Sequence, residues 1–120
     1  MNKSVDMIGL DITPWFMHED AIPYIASRVR NETSDNYKET SFDLVFIDGD
    51  HSYESVMADY NNIGKYAKMC ALHDINEPSC PDVIAAWSKI TSNTTKNIKE
   101  FTMSVGNQKT HGIGVIFDNF

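Results

Sequence analysis

Aspartate and histidine gathered in one turn can hold a divalent cation or move a proton, and FIDGDHSY (residues 46–53) places Asp48, Asp50 and His51 in such a turn. A second group, His73-Asp74, ends the short apolar run Met69–Leu72, and Asp11 lies near the end of another, Val5–Ile12. Carboxylates favour Mg²⁺ or Ca²⁺, whereas added imidazole favours Mn²⁺ or Zn²⁺. A neutral imidazole titrates near working pH, so His51 is also a candidate general base for a substrate hydroxyl. His18 and His111 read as isolated loop or strand-end residues.

Such groups meet only if the elements before them end at a common edge. Phe42–Ile47 is almost continuously apolar and reads as a strand buried on both faces. Gly49 permits a sharp turn, Ser52 is a helix N-cap, and Glu54 lies where a helix dipole favours an acid. Apolar residues at 53, 56, 57, 60, 63 and 67 then form one helical stripe. Asp82–Ile90 reads as a second helix started at Pro81, and Thr91–Lys96 as a polar linker. Ile98–Val105 and Gly114–Phe117 read as a hairpin with a long loop. Upstream, Val5–Ile12 and Trp15–Met17 read as strands, Ala21–Val29 as a helix and Arg30–Thr40 as a loop. Strands alternating with helices predict a mostly parallel sheet, whose ligands lie beyond the carboxyl ends of the strands.

The 120 residues suit one domain, 1–120, and 42% hydrophobic with 22% charged content is ordinary for a globular chain. A net charge of −7 without a basic patch argues against nucleic acid. No leader-like apolar stretch or membrane-length run is present, and Cys70 and Cys80 read as reduced thiols. The expected setting is cytoplasmic, away from membranes, with a small-molecule partner. A core of this size also makes a homo-oligomer expected.

Four blocks in order, FDLVFIDGDHSYESVMADY, ALHDI, PDVIAAW and GIGVIF, resemble the class I S-adenosylmethionine-dependent methyltransferases. Within them the chain is most similar to small-molecule O-methyltransferases whose fourth strand ends in an Asp-Gly-x-His turn. The resemblance spans Phe42 to about Phe117. It implies an α/β, Rossmann-like methyltransferase fold in truncated form: a mostly parallel sheet, helices on both faces and a C-terminal antiparallel hairpin. Phe42–Ile47 would be its fourth strand and Met69–His73 its fifth. It further implies S-adenosylmethionine as cofactor, with Asp11 on the ribose, Asp20 near the adenine, and Asp48 and Tyr53 beside it. Asp48 and Asp74 match metal-binding positions, with His73 replacing an acid; His51 would be the base. The family's GxGxG loop is not among these residues, since Gly9 is the only glycine before Gly49, so the domain is expected to lack the first strand and that loop. The expected activity is methyl transfer to an oxygen of a small molecule, assisted by a divalent cation such as Mg²⁺. Two other classes also fit: a non-catalytic methyltransferase-like interaction module, favoured by the missing loop, and a metal-dependent hydrolase using the same cluster.

Overall fold

The computed structural model describes residues 9–10, 29–30 and 32–119. They divide into two compact units, Met1–Asn36 and Tyr37–Phe120. In the first, β1 (Gly9–Leu10) pairs in parallel with β2 (Val29–Arg30). β1 falls inside the strand expected over Val5–Ile12. Val29 and Arg30 are extended rather than the end of a helix and the start of a loop. The remainder of the readings over residues 11–28, including Asp11, Asp20 and His18, lies outside the described residues. A single 3-10 turn, Ser34–Tyr37, interrupts the stretch read as loop.

The second unit runs β3 (Leu44–Ile47), α1 (Tyr53–Asn62), a 3-10 turn (Gly64–Tyr66), β4 (Met69–His73), α2 (Pro81–Asn93), β5 (Asn97–Val105) and β6 (Gln108–Phe117). Local chemistry starts both helices. Ser52 is extended and its Oγ accepts from Ser55 N at 3.3 Å, while Asp50 Oδ1 accepts from Ser52 N at 2.7 Å. Pro81 opens α2 with Asp82 in its first turn. α2 continues three residues beyond Ile90, and the polar side chains of its end bond back to the helix backbone. Thr91 Oγ1 donates to Trp87 O (2.9 Å), Ser92 Oγ to Ser88 O (2.7 Å) and Asn93 Nδ2 to Lys89 O (2.8 Å).

The sheet order is β3-β4-β6-β5. β3 and β4 are parallel, but β4 with β6 and β6 with β5 are antiparallel. The expected mostly parallel sheet is therefore corrected: this is a mixed sheet with more antiparallel than parallel pairing. Strand–helix alternation produces the β3-α1-β4 crossover, whereas the chain after α2 turns straight back on itself and inserts β6 beside β4. The hairpin loop is also shorter than expected, since Gly106-Asn107 closes it and Gln108 already belongs to β6. Gly106 takes φ +62°, as the first position of a two-residue hairpin turn of this kind demands.

The core lies on one face of the sheet. Val45 and Ile47 from β3, Cys70 and Leu72 from β4 and Ile116 from β6 cluster with Val56 of α1 and Val83, Ala86, Trp87 and Ile90 of α2. Leu44 and Phe46 alternate with them and are 59% and 53% exposed. β3 is thus buried on one face, not both, and both described helices contribute to that single core. A continuous apolar run does not reveal this, because period-two alternation is hidden when every residue is apolar.

Gly114 fixes the position of α2. It pairs with Leu72 on one side and Glu100 on the other. With no side chain at Gly114, the Trp87 indole lies close over β6 and its Nε1 donates to Glu100 Oε1 at 2.6 Å. An added Cβ would fall 2.7 Å from Trp87 Cε2 and closer still to two other ring atoms. Gly114→Ala is therefore expected to cost about 1–3 kcal/mol through overpacking. Thermal denaturation reads this directly, and an unchanged midpoint would mean that the indole can move aside without loss.

Candidate active site: carboxylates and histidines at two strand ends

β3 and β4 are adjacent and parallel, so their carboxyl ends open at one edge. Ile47 pairs with Leu72, which sets Asp48 level with His73. Asp74 follows at once, and the turn after Asp48 brings His51 back over both. His73 Nδ1 lies 3.4 Å from Asp48 Oδ1 and 3.0 Å from Asp74 Oδ2. His51 Nε2 lies 3.3 Å from Asp74 Oδ2 and 3.9 Å from Asp48 Oδ1.

Asp74 is the centre of this arrangement. It is 8% exposed, and its backbone adopts φ +62°, a left-handed conformation that aspartate tolerates better than most residues. Among the described residues its ion-pair contacts are all to imidazoles: His51, His73 and, at 3.8 Å, His111. His73 Nδ1 is buried without a hydrogen bond, although two carboxylate oxygens are close by distance. Distance and alignment disagree here, and alignment decides: neither oxygen stands in line with that nitrogen. A buried ring nitrogen and two unaligned oxygens form a nest suited to a shared cation. Asp48, His73 and Asp74 each offer a ligand atom, all within 4.8 Å of one another.

Cys80, the N-cap residue of α2, reaches the cluster from the other side, with Sγ 3.4 Å from His51 Nδ1. The two ring nitrogens of His51 thus meet different partners, Nε2 the Asp74 carboxylate at 3.3 Å and Nδ1 the Cys80 sulfur. Cys70 differs completely, because burial pushes its thiol up to about 12. The two thiols read alike in sequence and stand in unlike surroundings: Cys70 fills the core, and Cys80 faces imidazole. The turn Asp48–His51, His73 and the apolar Ile47, Leu72 and Val83 line a shallow depression, open to solvent.

The structure thus brings together Asp48, His51, His73 and Asp74. The Tyr53 ring packs against the core and its backbone N donates to Asp82 Oδ2 at 3.3 Å. Asp11 and Asp20 lie outside the described residues. Cys80 and His111 were not expected in the site. A cysteine just before a helix-starting proline was the available signal for Cys80. For His111 it was Gly112, because a glycine inside a strand marks a bulge. The register of β5 against β6 does shift between Phe101 and Met103, and His111 takes φ +51°.

A sequence model of the family described as Methyltransferase domain matches residues 4–75. That is more than half of the 120 residues and includes Asp48, His51, His73 and Asp74, but not Cys80. The chain belongs to the class I S-adenosylmethionine-dependent methyltransferases. No curated protein and no solved structure matches it. No helix among the described residues is long and apolar enough to cross a membrane.

Glu77 holds the bulge to this edge. Its Oε2 accepts from His111 N at 3.2 Å and lies 3.1 Å from His111 Nδ1. The hydrogen bond from His111 N holds its carboxyl below the ordinary glutamate range, helped by Ser79 and by the His111 charge. A carboxyl lowered by folding stabilises the fold above its unfolded pKa and loses that contribution as pH falls through the folded value. Glu77→Gln should therefore be less stable than the parent at neutral pH, with the gap closing in acid. Urea denaturation across pH measures it; a gap that stays constant would mean that charge is not responsible.

Proposed function

We propose that this chain transfers the methyl group of S-adenosylmethionine to an oxygen of a small molecule. The reading is carried by the meeting of Asp48, His51, His73 and Asp74 at two neighbouring strand ends, within the residues that match the family. The cofactor supplies an electrophilic methyl on a sulfonium; one O–C bond forms as one S–C bond breaks. The protein's work is then to position the acceptor and remove its proton. His51 takes the hydroxyl proton, and the Asp74 carboxylate beside its ring balances the imidazolium that results. His51 is 45% exposed and borders the depression, so an acceptor can reach it.

The nest of Asp48, His73 and Asp74 fits a divalent cation by donor type and by the unbonded His73 nitrogen. Those residues would hold it, and it would supply Lewis acidity toward the acceptor oxygen. By the family resemblance, Asp11 would contact the ribose and Asp20 the adenine. A small acceptor is favoured over nucleic acid because the site is acidic within a chain of net charge −7.

Calorimetry with S-adenosylmethionine, or with its demethylated product, tests the cofactor. Saturable heat is expected, and none at millimolar ligand would remove the enzyme reading in favour of an interaction module. For the base, His51→Ala should lower kcat about 10²–10⁴-fold while cofactor binding persists. Unchanged turnover in that variant would take His51 out of the mechanism.

A further inference from the structure

We propose that Cys80, His51 and Asp74 form a site for a thiophilic divalent cation of the zinc class, overlapping the oxygen-rich nest at Asp74 but chemically distinct from it. One sulfur, one imidazole nitrogen and one carboxylate oxygen lie within 4.8 Å of one another. Ligand-to-metal distances of about 2.3 Å for sulfur and 2.0–2.1 Å for nitrogen place two tetrahedral ligands about 3.5 Å apart. Cys80 Sγ and His51 Nδ1 are 3.4 Å apart. Nδ1 is the nitrogen His51 turns toward the sulfur, so it is the atom that would join a shared ion.

The two donor sets sort cations by softness. Asp48, His73 and Asp74 offer two carboxylates and one imidazole, which suits a harder ion. Cys80, His51 and Asp74 replace one carboxylate with sulfur, which hard ions avoid and zinc accepts. Binding exchanges the Cys80 thiol proton for the metal: the S–H bond breaks, an S–metal bond forms and the proton leaves to solvent. Thiolate and carboxylate together then balance the charge of the ion, and three protein donors leave a fourth position for water. Cys80 and His51 are held by separate elements, the start of α2 and the turn after β3, so the site depends on the folded unit. If the proposed methyl transfer holds, the same ion occupies the lone pair of the base and blocks it. That consequence rests on the functional reading; the site itself does not.

Titration of the purified chain with Co²⁺ and Zn²⁺ tests the site without cofactor or acceptor. The Co²⁺ form should show a thiolate-to-cobalt charge-transfer band in the near ultraviolet. Cys80→Ser should abolish the band and weaken zinc binding by about tenfold or more, on the scale of losing a metal-site partner. Serine is a favoured N-cap, so α2 should survive the change, and circular dichroism checks this. Asp48→Asn should keep the band. The proposal is overturned if the band survives Cys80→Ser, if zinc affinity is equal in parent and variant, or if the parent binds no zinc. It is equally overturned if Asp48→Asn removes binding that Cys80→Ser leaves intact, since the ion would then sit in the oxygen-rich nest.

Discussion

A buried carboxylate must have its charge answered, and at Asp74 the answer is imidazole. Taking one carboxylate out of water costs several kcal/mol unless partners replace the lost hydration. Asp74 is 8% exposed, and no lysine or arginine pairs with it among the described residues. His51 comes from the turn after β3, His73 from the end of β4 and His111 from a bulge in β6. Each reaches Asp74 only because its own strand stops, turns or bulges where it does. The register that sets Asp48 beside His73 and the bulge that brings His111 near Asp74 are therefore parts of one solution. The left-handed backbone at Asp74 is its local cost, of a kind that collects at functional sites and persists where surrounding structure enforces it.

The bulge of β6 beside Asp74 carries that enforcement. Asn76 N donates to His111 O at 2.8 Å, and Glu77 holds the His111 backbone and ring. Gly112, at φ +96°, lets this segment close up, since a Cβ there would press on Asn76, Ile75 and the Phe101 carbonyl at 3.2–3.3 Å. The loop from Asp74 to Cys80 is thereby tied to β6 at one end and begins α2 at the other. Trp87, lying over Gly114, fixes α2 to the same strand. Cys80 is delivered to His51 by packing some distance from either residue.

What could be read in the sequence was what local rules determine. The apolar run, Gly49, the Ser52 cap and the stripe through Val56 and Ile63 specify a strand, a turn and a helix with no help from the rest of the chain. Two acidic strand ends one crossover apart then meet by topology alone, which is why Asp48 and Asp74 were legible as partners. The direction of β6 was not, because alternation of element types says nothing about where a final hairpin inserts. The exposure of Leu44 and Phe46 was hidden because both are apolar, and the one polar residue of the run, Asp43, shares the parity of buried Val45 and Ile47. Cys80 and His51 are 29 residues apart and belong to different elements, so only the docking of α2 makes them neighbours.

That docking changes what the turn FIDGDHSY can do. Seen alone, it offers an acid for a cation and a histidine for a proton, and the two roles do not interfere. In the folded unit they compete, because Asp74 belongs to both donor sets and His51 has one lone pair to give. An ion among Asp48, His73 and Asp74 leaves His51 Nδ1 without a metal. An ion drawn to Cys80 takes that nitrogen. The identity of the metal, set by one sulfur at the start of α2, would then decide whether the histidine acts as a base or as a ligand.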